Sequence, residues 1–487
     1  MISLKVEQHR LRNDAGTPAL MDPVPIMLNE LPKYLSPAGG FLSFRMLCCA
    51  VLMSCSLTAE GLAQTGTEQP AVGVAQTQNG PQTDGALKRL QTNPDDAGAL
   101  IFLSGAKRAA ADYAEARKLA RRAFRVARTS NNKFGAAMEL ARISNDQERL
   151  LAAQLWLRRA AQTAPSAQLK AQTVQSFRQV RAKSPWRYSF RFSVVPSSNV
   201  NNGSALDTIQ IGGLPFTLNA DAQALSGVLA IVGGGAQYSF DGWNGKPAQL
   251  SFSGVFRKAI LSEDAKDRAP DAKGSDYDYG AVELQYGQVL SAPDAPVGLH
   301  GNIKLGRNWY GGDPLSNYTR VGLSAVWAEP KVRRTVLSFS LEDQKRLDDD
   351  LRSARIARLN LSHGWTLGNG NVMTVSGGLR RTNSSSIEID HIAGQIGLGY
   401  ALAEDLPGGI SVKFDLNLER RVYDNSPYTA DGRRDTKVRG AVTFGFDDLA
   451  YYGFAPQLTI ATTKTNSNVS LYEREDTAVY LSLRSVF

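Results

Sequence analysis

The residues that most often carry chemistry are scattered along this sequence and form no catalytic set. The histidines are His9, His300, His363 and His391, and the last three fall in segments of alternating polar and apolar residues. A lone histidine in such a strand is more often a lumen or interface side chain than a ligand or a base. No Gly-x-Ser-x-Gly elbow follows a strand pattern, and no His-Glu-x-x-His motif occurs. We therefore predict that the protein is not an enzyme, and we name no catalytic, cofactor-binding or metal-binding residue.

Two short segments resemble sites but have simpler interpretations. Three consecutive acids, Asp348–Asp350, follow Lys345 and Arg346 and are interpreted as a charged loop. The glycines Gly233–Gly235 lie inside a strand pattern, where glycine more often marks a bend or bulge than a phosphate-binding loop. We predict no cofactor.

The cysteines indicate export rather than thiol chemistry. Cys48, Cys49 and Cys55 all lie in one apolar stretch, which a basic residue precedes and the small residues Gly61 and Ala63 follow. This order is typical of a signal peptide, here cut after Ala63, and residues 1–40 are interpreted as an overhang upstream of the true start. A short internal helix and lipidation at Cys55 are the alternatives. Without this stretch the chain contains no cysteine, so no disulfide or thiol site is available.

Composition limits the class of protein further. The chain has 487 residues, a formal net charge of +9 and a mean hydropathy of -0.25, and this length predicts two or three domains. No apolar run long enough for a spanning helix follows the N-terminal region. The cations are interleaved with acids and lack the aromatic-plus-basic motifs of nucleic-acid binding, so we predict no nucleic-acid partner. Residues 64–82, rich in Gln, Thr, Gly and Pro, are predicted to be a disordered linker.

The segment 83–183 has helical periodicity and contains two stretches that can be superimposed. These are Asp112–Ala123 and Arg149–Ala160, which place alanines at matching positions 37 residues apart. Small residues spaced by seven on one helix face, with Pro165 beyond the second stretch, indicate tetratricopeptide-like repeats. The usual period is about 34 residues, so we expect a lengthened turn around Ser130–Asn132. An ordinary alanine-rich bundle is the alternative.

The final segment, 184–487, is predicted to be a barrel. In Trp186–Val194 every second residue is large and apolar, and the residues between are Arg or Ser, so a strand here has one apolar and one polar face. Such segments recur about every 20 residues and, with the terminal one ending at Phe487, give about fourteen strands, an even number as in bacterial barrels. A soluble sandwich is the alternative. The intervening strands are predicted at Gly227–Phe240, Gln249–Ala259, Tyr277–Val289, Gly298–Trp309, Tyr318–Trp327, Val336–Asp343, Ala354–Leu367, Val372–Arg381, Ile387–Tyr400, Ile410–Val422, Thr436–Phe446 and Gln457–Thr465.

The connections and aromatic residues agree with a membrane barrel. Asp241–Gly245 and Gly368–Gly370 are turn-like, whereas Ser262–Ser275 and Asp424–Arg433 are long and charged. Short turns at one end and longer loops at the other are typical of outer-membrane barrels. Aromatic residues at strand ends are expected near the lipid headgroups. They are Trp186, Tyr310, Trp327, Trp365 and Tyr400. The fold class is therefore multidomain α + β, with tetratricopeptide-like α-helical repeats before an antiparallel transmembrane β-barrel.

This combination resembles the surface lipoprotein assembly modifiers. The local resemblance is strongest at Trp186–Asn202, where an aromatic first strand runs into Pro196-Ser197-Ser198-Asn199-Val200-Asn201-Asn202, and it is supported by the terminal Phe487. The resemblance covers residues 83–487. It implies a bacterial outer-membrane protein with its helical domain in the periplasm, helping client surface lipoproteins or related secreted proteins across the membrane. The implied partners are the client, outer-membrane lipid and the barrel assembly machinery.

Two other functions fit the same architecture. One is a porin or exopolysaccharide export channel with a helical periplasmic adaptor. The other is an adhesin that contacts a host through the long charged loops. The sequence does not distinguish the route of a client, which is either the polar lumen or a lateral seam between the first and last strands.

Overall fold

A computed structural model describes residues 80–211, 214–329 and 333–486, which form two compact units, one helical and one a β-barrel. The predicted signal peptide with its three cysteines, residues 64–79 of the predicted linker, and Phe487 lie outside the described residues. No helix among the described residues is long and apolar enough to cross a membrane.

The helical unit begins three residues before its predicted start at residue 83. Pro81 stands in the first turn of the first helix, where a missing backbone N–H is tolerated. Asp96 caps the second helix by accepting a 3.0 Å hydrogen bond from the N–H of Ala99. This bond is the main reason why the pKa of Asp96 lies below its usual value. The helices are α1 (Gly80–Thr92), α2 (Ala97–Ala109), α3 (Tyr113–Val126), α4 (Ser130–Asp146), α5 (Leu150–Thr163) and α6 (Ala167–Lys183).

The pairs α2–α3 and α4–α5 repeat with a 37-residue offset. In the turn between α2 and α3, the N–H of Ala111 donates to the carbonyl of Arg108, and the N–H of Asp112 donates to the carbonyl of Lys107. The turn between α4 and α5 has the same two bonds 37 residues later, from Glu148 to Asn145 and from Arg149 to Ser144. Ala111 and Glu148 both have positive φ, at 56° and 57°. Two turns with the same hydrogen bonds and the same left-handed residue indicate one helical hairpin used twice.

Small residues allow these helices to pack closely, as the alanine spacing predicts. Ala116 and Ala123 on α3 and their counterparts Ala153 and Ala160 on α5 have no exposed surface. Larger side chains fill the space between the helices, for example Trp156, whose ring meets that of Phe124 edge-on at 5.4 Å.

The expected lengthened turn at Ser130–Asn132 is wrong. These residues form the first turn of α4, because the hydroxyl of Thr129 accepts a hydrogen bond from the N–H of Asn132 and caps the helix there. The link between α3 and α4 is confined to residues 127–129.

The second unit is a closed antiparallel barrel of fourteen strands, which confirms the predicted fold class. Strands β2 (Thr208–Ile211) and β3 (Leu214–Thr217) form a separate hairpin, and helix α7 (Glu263–Arg268) lies in a loop. The barrel strands are β1 (Trp186–Ser197), β4 (Gly227–Asp241), β5 (Pro247–Leu261), β6 (Tyr279–Val289), β7 (Gly298–Tyr310), β8 (Asp313–Glu329), β9 (Arg333–Arg346), β10 (Ala354–Thr366), β11 (Val372–Ser384), β12 (His391–Ala401), β13 (Ile410–Tyr423), β14 (Arg433–Phe446), β15 (Phe454–Ser467) and β16 (Arg474–Ser485).

Because the barrel is closed, its first strand, β1, lies between its last strand, β16, and β4. β1 pairs with β16 in a register that places Ser193 opposite Ser482. On the other side, the carbonyl oxygen of Ser189 lies so near Gly234 of β4 that a Cβ there would stand 3.3 Å from it. A closed barrel leaves no strand edge without hydrogen bonds, which the hydrocarbon core requires.

Along each strand, successive side chains point alternately out of the barrel and into its lumen. On β10, Leu359 and Leu361 are exposed, and Phe339 and Leu379, the two register partners of Leu359, are exposed on the same outer surface. The intervening Arg358 and Asn360 are partly buried on the inner surface, the lumen wall. The apolar outer surface and polar lumen wall are those of a membrane barrel.

The two ends of the barrel differ in their connections. The near end is defined here as the end at which Trp186 enters β1, and the far end as the opposite one. The described near-end connections are at most eight residues long, including 242–246 and 367–371. The two longest connections, 198–226 and 262–278, are both at the far end, together with 424–432. The predicted grouping of short turns and long loops is therefore observed.

Four of the five predicted headgroup aromatics lie on outward-facing strand positions at the near end, namely Trp186, Trp327, Trp365 and Tyr400. The expectation for Tyr310 is wrong. It stands opposite the buried Tyr279 on the lumen side, because the regular alternation of β7 turns its even-numbered residues inward. The neighbouring Trp309 takes the outward position.

We expect substitution of a fully buried alanine to disturb the helical unit. Ala120→Leu adds volume where α3 is in contact with α4, and overpacking of this kind costs about 1 to 3 kcal/mol. The measurement is urea unfolding followed by the helical circular dichroism signal. Ala114→Leu on the exposed side of α3 is the matched control. Equal unfolding midpoints for the two variants would contradict the packing.

Candidate functional site

The lumen wall carries two cations for each acid. Its members follow from the strand registers and the alternation of exposed apolar side chains. The inward-facing Lys and Arg positions are Arg187, Arg191, Arg257, Lys304, Arg320, Arg334, Arg346, Arg358, Arg380, Lys413, Arg421, Arg433, Lys437, Arg439, Arg474 and Arg484. The inward-facing acids are Asp241, Glu283, Asp313, Glu342, Asp415, Glu419, Asp435 and Asp476. Most of the cations lie on the side formed by β8–β16.

One buried carboxylate holds two guanidinium groups on this wall. Glu342 on β9 accepts from Arg320 on β8 at 2.6 Å and from Arg358 on β10 at 3.0 Å. The Glu342 side chain is 4% exposed, whereas those of Arg320 and Arg358 are partly exposed. A buried carboxylate is stable only when it is paired in this way. Glu342 therefore ties three neighbouring strands together from inside.

Next to Glu342 on the lumen wall, three arginines lie at the same height along the barrel and form what we call the basic row. Arg358 and Arg380 are directly opposite each other on β10 and β11, and Arg421 follows on β13 with only Ala393 between them in register. Like charges placed directly opposite each other destabilise a strand pair. Glu419 is the acid beside them and lies 3.5 Å from Arg380. Glu419 also pairs with Arg421, and Arg358 pairs with Glu342, so the three cations of the basic row stand beside two acids.

The seam between β1 and β16 is held at the far end by side chains and by the first far-end loop, residues 198–226. The hydroxyl of Ser197 donates to Asp476 at 2.7 Å, and the amide of Asn199 donates to the carbonyl of Glu475 at 3.2 Å. The N–H of Ala205 also donates to the carbonyl of Glu473 at 2.8 Å. These contacts close the far end of the seam.

Apolar packing supports the same loop on both sides. Its hairpin packs in a buried cluster with the loop that precedes β16. That cluster contains Ile209, Leu218, Ala222, Val469, Leu471 and Tyr472. A second cluster joins the loop to the end of β5 and to α7 and contains Val200, Leu225, Leu261, Ala265 and Ala269.

A mainly apolar groove of about 420 Å³ lies on the outer surface across the seam. Its walls include Pro196 of β1, Val228 of β4, Ile260 of β5 and Val479 of β16. The strand parity places these side chains on the lipid-facing surface. The seam therefore has a lipid-side depression at its far end and a polar face towards the lumen.

The residues considered for chemistry lie apart. His300 and His391 face the lumen, and the Nδ1 atom of His391 is 2.7 Å from the carbonyl oxygen of Ile389. His363 faces outward, 2.8 Å from Thr335 and beside the ring of Trp365. No group of three or more metal-ligating side chains comes together in the part of the chain that the structure describes.

The acidic segment Asp348–Asp350 forms a loop, as interpreted from the sequence. Asp348 accepts a 2.8 Å hydrogen bond from Arg346. Burial acts to raise the pKa of Asp348, but the guanidinium of Arg346 outweighs it, so this pKa lies below its usual value. Asp349 accepts from the N–H of Leu351 and caps a short 3₁₀ turn. These acids stabilise the loop, and their contacts need no substrate.

Sequence reasoning found the polar faces but missed the charge imbalance inside the barrel. The signal was present in pairs such as Lys437 and Arg439, which alternate on one face of a predicted strand. The opposition of Arg358 to Arg380 depends on the strand register, which the sequence does not give.

Comparison with known proteins identifies the family to which the C-terminal region is similar. Residues 305–487 match the family model described as surface lipoprotein assembly modifier. The predicted resemblance is thus confirmed for the end of β7 and for β8–β16. With the closed barrel, this match places the chain among the outer-membrane β-barrel proteins.

Solved structures add a broad likeness only. A bacterial polysaccharide outer membrane secretin is 9% identical, with a TM-score of 0.33 and coverage of 61% of this chain and 98% of that chain. OccAB1 of Acinetobacter baumannii is 10% identical, with a TM-score of 0.35 and coverage of 62% and 97%. OccK9 of Pseudomonas aeruginosa is 10% identical, with a TM-score of 0.34 and coverage of 61% and 97%. No curated protein sequence matched the chain.

We expect loss of the Glu342 carboxylate to weaken the barrel. Glu342→Gln removes the counter-charge that the partly exposed Arg320 and Arg358 share, which costs about 1 to 3 kcal/mol. The measurement is the urea unfolding midpoint of the barrel in liposomes. Asp343→Asn, one residue away, is the control, because its ion pair with Arg355 is exposed and contributes less than about 1 kcal/mol. The interpretation is wrong if Glu342→Gln unfolds at the same midpoint as the control.

Proposed function

We propose that the protein is an outer-membrane translocator that brings client surface lipoproteins, or related secreted proteins, to the cell surface. The observation that carries this proposal is the match of residues 305–487 to the surface lipoprotein assembly modifier family. The closed barrel with its polar lumen wall supports it, because a client chain needs a route through the hydrocarbon layer. The lumen and the β1–β16 seam are the two routes that the barrel offers.

The helical unit is proposed to lie in the periplasm and to engage the client. Repeated helical hairpins usually act as protein-binding surfaces rather than as catalysts. On α5, Leu151 and Leu155 are 48% and 54% exposed and stand one helical turn apart. Such a pair suits an apolar segment of an unfolded or partly folded client.

The far end of the barrel is proposed to face the cell exterior. Outer-membrane barrels carry short periplasmic turns and longer external loops, and the longest connections here are at the far end. The near end then faces the periplasm. Partners in this account are the client, outer-membrane lipid and the barrel assembly machinery.

The seam is the proposed lateral route for a client with a lipid anchor. Its lumen side is polar, and its outer side carries the apolar groove that Val228 and Ile260 line. A polypeptide that leaves sideways keeps its polar part in the lumen and its acyl chains in the membrane. The Ser197–Asp476 contact at the far end has to open for such an exit. The energy is proposed to come from client folding outside the cell or from a partner protein.

A second candidate function is a channel for anionic solutes or an anionic exopolysaccharide. The basic row of Arg358, Arg380 and Arg421 favours it, because a lumen wall with an excess of cations concentrates anions. In this function the helical unit is an adaptor and no client protein is moved.

We expect a candidate surface lipoprotein to become cleavable by external protease only in cells that express the protein. The measurement is surface protease shaving with and without expression, with the folded barrel confirmed by its heat-modifiable migration. A set of clients that stays protected beside a folded barrel, together with anion-selective current in planar bilayers, would exclude the translocator and support the channel.

A cross-linked seam separates the two routes within the same assay. Ser193→Cys/Ser482→Cys places two cysteines directly opposite each other on β1 and β16, and no native cysteine occurs after Cys55. We expect the oxidised variant to lose client exposure and a reductant to restore it. The matched control is Ser362→Cys/Ser376→Cys, an opposed serine pair on β10 and β11. Full activity of both oxidised variants would exclude the seam as the route.

A further inference from the structure

The outer surface of the barrel carries a ring of cations near the far end, which we call the basic collar. Each of its members lies within three residues of the far end of its strand, about 10 Å along the strand at most. All but Arg381, which is partly buried, are exposed. The collar consists of Lys258, Arg307, Lys345, Arg355, Arg381, Arg420, Arg434 and Lys464.

The strand registers show that these residues share the outward face with the apolar belt. Lys258 lies between the exposed Phe256 and Ile260 on alternate positions of β5. Arg420 follows the exposed Leu418 on β13 in the same way. The cations therefore border the lipid-facing surface and do not belong to the lumen.

Part of the collar is compact. Arg420, Arg434 and Lys464 lie on the adjacent strands β13, β14 and β15. Arg420 stands opposite Thr436, and Arg434 stands opposite Val422, so the two arginines are near diagonal neighbours. Lys464 stands opposite Val438, so the three cations span about 13 Å along the strands and about 10 Å across them and together border one patch of the outer surface.

A second group lies on the opposite part of the ring. Arg307 on β7 and Lys345 on β9 both pair in register with Asn317 of β8 and so flank it. Arg355 follows on β10 and lies 3.5 Å from Asp343. The Arg307 guanidinium also lies over the ring of Trp309, 5.4 Å from its centroid.

The charge is confined to one end of the outer surface. In the half of the outer surface towards the near end, Arg333 is the one cation among the outward strand positions whose side chains are described. The other outward positions of that half carry residues such as Trp327, Trp365 and Phe414. The acids at the level of the collar are Asp343, Glu475 and Asp390, and the carboxylate of Asp390 lies 2.8 Å from Arg381. If these cations served only solubility, they would be expected at both ends of the barrel. Their restriction to the far end therefore indicates a ligand that is present in one leaflet of the membrane.

We propose that the basic collar binds the phosphorylated headgroups of an anionic glycolipid in the outer leaflet. A cation on a lipid-facing strand is costly in the hydrocarbon core but not at headgroup depth, which is where the strand ends lie. Five of the eight collar residues are arginines, whose planar donors suit phosphate oxygens. We favour a lipid over a soluble acidic protein as the ligand. The cations adjoin exposed Leu and Phe side chains that face the membrane, and a soluble protein could not cover these side chains.

The test compares binding of bisphosphorylated and dephosphorylated lipid A to the full-length protein in detergent, measured by native mass spectrometry. The variant is Arg420→Gln/Arg434→Gln/Lys464→Gln. We expect its binding of the bisphosphorylated lipid to fall by about tenfold or more, because each cation near an anionic surface contributes separately. Binding of the dephosphorylated lipid is expected to be weak and equal for the two proteins.

The control variant removes the same charge from exposed positions of the helical unit, as Lys88→Gln/Lys118→Gln/Lys170→Gln. It is expected to bind the bisphosphorylated lipid like the unaltered protein. Heat-modifiable migration shows whether each barrel is folded. Equal binding of the two lipids by the unaltered protein, or unchanged binding by the collar variant, would overturn the proposal. Displacement of the lipid by inorganic phosphate alone at modest excess would also overturn it.

Discussion

The structure depends on one constraint: in the hydrocarbon layer every backbone N–H and C=O must find its partner within the protein. Fourteen antiparallel strands meet that constraint only because β1 returns to pair with β16. The same hydrogen bonds fix which side chains face lipid and which face the lumen. The apolar belt, the charged lumen wall and the basic collar are all consequences of that single register.

The seam is where this constraint and the proposed function conflict. Closure requires β1 to be paired, whereas lateral exit of a client requires it to part from β16. The polar contacts of Ser197 and Asn199 and the packed first far-end loop hold the far end of the seam closed. Across the barrel from the seam, by contrast, the buried carboxylate of Glu342 ties β8, β9 and β10 together through two arginines. The seam depends instead on polar contacts and loop packing at one end, which suits it to opening at that place.

The sequence predicts the parts that depend on local patterns. Alternation in Trp186–Val194 and its successors gave the strand number, and the matched alanines at 116 and 153 gave the repeated hairpins. It did not give features that depend on register or on one capping residue. Thr129 starts α4 where a turn was expected, and the opposition of Arg358 to Arg380 needs the pairing of two strands. These depend on contacts between segments, which periodicity does not encode.

The most direct test of this account is the accessibility of spin labels placed singly along β10 in outer-membrane vesicles. The account predicts that labels at Leu359 and Leu361 collide with membrane-dissolved oxygen, whereas labels at Asn360 and Ser362 collide with a water-soluble nickel chelate. This alternation would show that the outer surface lies in lipid and the inner surface in an aqueous or polar lumen. Uniform exposure to the nickel chelate, or no alternation along the strand, would contradict a membrane-spanning barrel and the functions built on it.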